Sequence, residues 1–99
     1  MNSRVIDIAC REGTESRFVR LTCRDDGTIT MDTQDIGPSI AAIASDDEYE
    51  FWITVAPTEL SKLAFELLRE KFADRLDAVD AFRDWCKAHD IDHRFGNWV

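Results

Sequence analysis

The chain has 99 residues, of which 44% are hydrophobic and 32% are charged, with a formal net charge of −8 at pH 7. This length and composition predict a single α+β domain over residues 1–99 with a core of its own, and they argue against disorder. No stretch approaches the roughly 20 apolar residues of a membrane span, and no phosphate-binding glycine motif is present. We therefore expect no membrane partner and no cofactor, and the absence of a cleavable apolar leader favours a cytoplasmic protein.

Charge is divided unevenly along the chain. Nine acidic residues and no Lys, Arg or His lie from Asp25 to Ser61, whereas residues 1–24 contain five arginines against three acids. One surface should therefore be strongly negative, which attracts basic partners and repels phosphate backbones. We expect no nucleic-acid partner, and we expect the arginines around the second strand to pair with the chain's own acids.

The first third of the chain has the pattern of a three-stranded antiparallel meander. Strands are predicted over residues 5–10, 17–24 and 28–33, separated by a Gly-containing connection and an Asp-Asp-Gly turn. The second strand alternates, which places Val19, Leu21 and Cys23 on a core face. Phe18 and Arg20 then lie on the opposite face.

A break at Pro38 separates this meander from the strongest strand signal in the chain. Residues 39–44 predict at most a short helix, and residues 49–55 predict a strand. Tyr49, Phe51, Ile53 and Val55 alternate on one face of that strand, and the opposite face carries Glu48, Glu50, Trp52 and Thr54.

Two amphipathic helices are predicted over residues 57–73 and 75–89, and a last strand over residues 91–99. Asp74 is the expected N-cap of the second helix. The fold class is thus α+β, a mostly antiparallel sheet of four or five strands with both helices on one face. The expected buried side of the second helix consists of Leu76, Val79, Phe82 and Cys86.

The cysteines and histidines suggest chemistry only weakly. Cys10, Cys23 and Cys86 are an odd number without framework spacing, which predicts buried free thiols. Cys86, His89 and His93 have donor types that suit zinc, but they are divided between a helix end and a strand. No fourth Cys or His is present, although Asp90 or Asp92 could supply an oxygen ligand, and we expect no metal. A small-ligand or enzymatic domain with an acidic pocket that uses His89 or His93 is the alternative function.

The aromatic residues favour binding over catalysis. Phe18, Trp52 and Trp98 are predicted on the strand face opposite the core, where they form an exposed patch if the helices cover only one face, or a second small core if another segment covers them. The leading hypothesis is a non-enzymatic module for a basic protein partner, and a homodimer through the same sheet face is a further possibility. The expected partner-binding residues are Asp46, Asp47, Glu48, Glu50, Trp52 and Trp98.

Three short motifs carry a family resemblance. Asp35-Ile36-Gly37-Pro38, the strand from Tyr49 to Val55 and the Phe95-x-x-Trp98 ending resemble small uncharacterised bacterial proteins that share a D-[IL]-G-P turn and an acidic-aromatic strand. The resemblance covers residues 25–99 and implies a bacterial cytoplasmic domain, with no catalytic residue. Small acidic α+β domains also look like bacterial immunity proteins, an analogy of size and charge alone.

Overall fold

The structure is a computed structural model that describes residues 3–43 and 47–98, and it confirms the α+β class. The chain forms two compact units, residues 1–60 with the sheet and residues 61–99 with most of the helical part. The elements are β1 (Arg4–Arg11), β2 (Ser16–Cys23), β3 (Ile29–Ile36), α1 (Pro38–Ala41), β4 (Glu48–Val55), a 3-10 turn (Pro57–Glu59), α2 (Leu60–Phe72) and α3 (Ala78–Ala88).

The sheet is a four-stranded antiparallel meander with the order β1-β2-β3-β4. The predicted meander is confirmed, and β4 extends it, so that β1 and β4 are the two edge strands. Strand β3 continues three residues beyond its predicted end because β4 supplies pairing partners as far as Ile36, which lies opposite Glu48.

Because the strands pair in a fixed register, the side chains that alternate along one strand lie on the same face as their partners on the next strand. Leu21 lies opposite Met31, and Met31 lies opposite Ile53, which places all three side chains on one face. On the other face Arg20 lies opposite Asp32, and Asp32 lies opposite Trp52. The sheet therefore has an apolar face and a polar face, as the sequence pattern predicts.

The connection between β3 and β4 is held by a glycine and a carboxylate. Ser39, in the first turn of α1, donates its backbone N–H (3.0 Å) and its hydroxyl (2.8 Å) to the carboxylate of Glu15. Gly37 has φ +153°, and a Cβ placed there would lie 2.8 Å from the backbone oxygen of Thr14 and would also meet the Glu15 carboxylate. Only a residue without a Cβ fits this close approach without strain.

We expect Gly37→Ala to destabilise the sheet unit by about 1–3 kcal/mol, because it adds both backbone strain and a clash. Gly13→Ala separates the two effects, since Gly13 has the same φ but only Glu15 O, at 4.0 Å, near its added Cβ. Urea unfolding followed by circular dichroism measures both variants. Equal losses at the two positions would show that the approach to Thr14 and Glu15 has no energetic weight.

The helical part differs from expectation at its central turn. Asp74 is not the N-cap of α3, because it takes a left-handed conformation (φ 61°) just beyond the end of α2. Asp77 holds the N-cap position instead, and its carboxylate accepts hydrogen bonds of 3.0 and 2.8 Å from Arg75. Helix α3 consequently begins at Ala78, three residues later than predicted.

The predicted last strand is wrong over residues 91–98, which take no regular secondary structure. Helix α3 ends with Asp90 in the left-handed conformation (φ 54°), and the N–H of Ile91 reaches back to the carbonyl of Cys86 at 2.9 Å. The N–H of Asp90 bonds to the carbonyl of Lys87 at 3.3 Å, which completes a Schellman motif. The alternating apolar residues that follow this cap find no strand to pair with in the described sheet.

Only part of the side predicted to be buried on α3 is buried. Cys86 is 4% exposed, whereas Leu76, Val79 and Phe82 are exposed, and Leu76 precedes the helix and so does not share its face. Phe82 contacts Phe72 of α2, with ring centroids 5.8 Å apart. Packing of both helices on one sheet face, and a single domain over the whole chain, stay predictions.

The expectation of three buried thiols is wrong for two cysteines. All three are free, but Cys10 is exposed and Cys23 is half-buried, while Cys86 is buried. Cys10 lies opposite Phe18, which places it on the polar face of edge strand β1 rather than within the apolar face.

Candidate protein-binding site

Edge strand β4 presents an aromatic side chain from the polar face of the sheet. Trp52 is 61% exposed and lies opposite Asp32 of β3. Glu50 is two residues earlier, opposite Gln34, so it projects from the same face as Trp52. An exposed indole beside a carboxylate, at the rim of a sheet, is accessible both from above the face and from the strand edge.

The polar face carries more negative than positive charge. Among its strand residues are four carboxylates and a single guanidinium, that of Arg20. Arg20 donates a hydrogen bond to Asp32 (3.0 Å), which raises the pKa of the guanidinium, and the charges of Glu50 and Asp7 raise it further. We call the following set the acidic tryptophan face: Asp7, Asp32, Glu48, Glu50 and Trp52.

A side-chain hydrogen bond positions one of these carboxylates. Gln34 Nε2 donates to Glu48 Oε1 from the neighbouring strand. Glu48 therefore lies near Glu50 on the polar face with its side chain oriented by β3. Of the remaining predicted acids, Asp47 is exposed and its backbone carbonyl accepts from Gly37 N at 2.9 Å, and Asp46 lies outside the described residues.

The aromatic residues predicted to share this face separate into two groups. Phe18 and Trp52 do lie on the polar face, with Phe18 half-buried. Trp98 is not part of any strand, and its side chain is 99% exposed. A role for Trp98 in partner binding stays a prediction, whereas its placement on the sheet is wrong.

Two of the arginines around β2 pair with the chain's own acids, as predicted. Besides Arg20, Arg17 binds Asp35 through two hydrogen bonds of 2.5 and 2.6 Å and lies 5.8 Å from the ring centroid of Phe51. The hydrogen bonds from Arg17 hold the pKa of Asp35 below its usual value. These guanidiniums are therefore engaged within the sheet rather than presented to a phosphate backbone.

The two histidines occupy different surroundings in the helical part. His89 stacks on Trp85 with ring centroids 4.2 Å apart, and its Nδ1 is 2.8 Å from the Trp85 carbonyl oxygen. His93 lines an open hollow of about 380 Å³, whose lining includes Arg83 and does not include His89. The described residues contain no cluster of three or more His, Cys, Asp or Glu that could hold a metal ion.

Sequence reasoning missed two members of the acidic tryptophan face. Neither Asp7 nor Asp32 is among the partner-binding residues that the sequence predicts. Asp7 lies opposite Arg20, and Asp32 lies opposite both Arg20 and Trp52, so strand pairing brings them together. The signal that could have found them is the alternation of all four strands combined with the hairpin register.

Comparisons with protein families, with curated proteins and with solved structures find no match to this chain. The resemblance to small bacterial proteins with a D-[IL]-G-P turn accordingly stays a prediction. Across the described part of the chain, no helix has both the length and the apolar character needed to cross a membrane.

The Arg17–Asp35 pair predicts that the stability of the protein depends on pH. In the folded protein the pKa of Asp35 is lowered, so the ionised carboxylate stabilises the fold. This contribution is present above the ordinary pKa of 3.8 and is lost as pH falls through the folded pKa. The difference in unfolding free energy between wild type and Asp35→Asn should therefore be constant above about pH 5 and become smaller below it.

Urea unfolding of both proteins from pH 2.5 to 7 measures this difference. The control is the same substitution in an Arg17→Met background, where removal of the hydrogen-bond donor should abolish most of the pH dependence. A dependence that persists in that background would show that another group depresses the pKa of Asp35.

Proposed function

We propose that this protein is a non-enzymatic binding module that recognises a basic protein through the acidic tryptophan face. The observation that carries the proposal is the 61% exposure of Trp52 on an edge strand, beside the carboxylate of Glu50. Trp is enriched among the residues that dominate binding energy at interfaces, and an exposed one surrounded by polar groups is suited to become buried on association.

The carboxylates of the face have a different role from that of the indole. They lie on an open surface, where charges accelerate encounter with an oppositely charged protein more than they strengthen the final complex. Removal of Trp52 from water on binding supplies the affinity, because it buries a large aromatic surface. Rate and affinity should consequently depend on different residues.

The charge of the face also selects the class of partner. Arg20 is already paired with Asp32, so the uncompensated charge is negative. A nucleic acid would be repelled by this surface, whereas Lys and Arg side chains could form charge-assisted hydrogen bonds with Glu48 and Glu50. These considerations support a basic protein as the partner.

The test begins with affinity capture from a lysate of the source organism, with wild type and Glu50→Lys/Trp52→Ala compared at two salt concentrations. Asp84→Lys is the matched control, because it makes the same change in net charge at an exposed position of α3. The expected result is a basic protein retained by wild type and by Asp84→Lys but not by the double variant. Equal retention by all three proteins would contradict the proposed site.

Kinetics with the captured protein then separate the two roles. Raising salt should slow association and leave dissociation nearly unchanged, while Trp52→Ala should weaken binding by on the order of 2 kcal/mol, about 30-fold, mainly through faster dissociation. Surface plasmon resonance measures both rates. If Trp52→Ala unfolds the isolated protein, the residue belongs to the core and the proposal fails.

A further inference from the structure

The two edges of the sheet differ in their regularity. Strand β1 is interrupted between Asp7 and Ala9, where its register with β2 shifts. Strand β4 pairs with β3 without interruption, from Ile29 opposite Val55 to Ile36 opposite Glu48. A bulge obstructs the addition of a further strand, whereas a regular edge presents a row of backbone donors and acceptors that can pair with another chain.

Strand β4 also lacks two of the usual protections of an edge strand. Its eight residues, EYEFWITV, contain no proline and no lysine, and two of its large apolar side chains, Ile53 (70%) and Trp52, are among the more exposed in the chain. A regular edge with exposed apolar side chains is the kind of surface at which a β-sheet continues into a second molecule.

We propose that the second molecule is another copy of this chain, whose β4 pairs antiparallel with the first about a two-fold axis at Trp52. The interface is isologous, so the same strand contributes both sides. Four strands from each copy then form one continuous eight-stranded sheet. A perpendicular two-fold axis keeps the apolar faces of both copies on the same side, as the segregation of the two faces requires.

The positions of the charges select this register. With Trp52 opposite its symmetry mate, Glu50 lies opposite Thr54, and the two Glu50 residues are separated by four positions, about 13 Å, along the strand. A two-fold axis at Glu50 would place like charges directly opposite, and an axis at Phe51 would bring the two Glu50 residues to within two positions, about 7 Å. Only the first spacing exceeds the Debye length of about 8 Å at physiological salt and keeps nearly the whole strand paired.

The same register pairs apolar residues across the interface. Phe51 lies opposite Ile53, and Tyr49 lies opposite Val55, all on the apolar face. Aromatic and β-branched pairs of this kind are among the favourable cross-strand combinations in antiparallel sheets. On the polar face the two Trp52 side chains, which are exposed in the isolated chain, meet at the axis.

Sedimentation velocity over a concentration series tests the proposal without any partner protein. The dimer covers Trp52, which the proposed function assigns to a basic partner, so the two occupants would compete for this side chain. The expected result is a monomer–dimer equilibrium that tightens as salt rises, because two copies of charge −8 repel. This is the opposite of the salt effect expected for a basic partner. A protein that sediments as a monomer throughout would overturn the proposal.

Substitutions at Thr54 test the register. Thr54→Glu places a carboxylate opposite Glu50 of the other copy, twice per dimer, and should raise the dimer Kd about tenfold, whereas Thr54→Lys should lower it. Loss of fold would weaken the dimer in both variants, so opposite effects separate pairing from stability. Thr14→Glu, in the exposed β1–β2 connection, controls for net charge.

Charge exchange completes the test. Glu50→Lys combined with Thr54→Glu should restore the dimer that Thr54→Glu weakens, because it re-creates opposite charges across the axis. Rescue by Glu48→Lys instead would overturn the register centred on Trp52, since Glu48 faces Thr54 only when the axis lies at Phe51. A dimer that neither Thr54 variant changes would overturn strand-edge pairing altogether.

Discussion

The constraint on which the rest of the structure depends is the register between β2, β3 and β4. Eight successive pairs join each of the two ladders without a shift, so a single period-2 alternation extends across three strands. A slip of one residue in β4 would move Trp52 and Glu50 to the apolar face and bring Phe51 and Ile53 to the polar face. The acidic tryptophan face therefore exists only in this register.

Two ion pairs hold the β2–β3 register from opposite faces. Arg17 lies directly opposite Asp35, and Arg20 lies directly opposite Asp32. Opposite charges directly across a strand pair favour that pairing, and any slip would break both pairs together. The basic first third of the chain and its acidic middle third are thus joined across the sheet by one ion pair on each face.

The sequence anticipates what depends on local pattern and misses what depends on pairing. Alternation locates each strand of the meander to within a few residues, and proline marks the start of both α1 and the turn before α2. The last predicted strand fails because residues 91–98 leave α3 through a Schellman cap, and Phe95 lies over the guanidinium of Arg83 at 4.5 Å. Alternation alone does not reveal whether a partner strand exists.

The different regularity of the two sheet edges also limits assembly. In the proposed dimer, pairing through β4 would consume the regular edge of both copies, and the edges that remain would be the two β1 strands, each interrupted between Asp7 and Ala9. An isologous contact closes on itself at two molecules, whereas a sheet with two regular edges could add copies indefinitely. The bulge in β1 and the carboxylates of β4 would therefore both restrict the proposed assembly. The bulge leaves β1 unsuited to pairing with a further copy, and the carboxylates disfavour every register in which like charges meet.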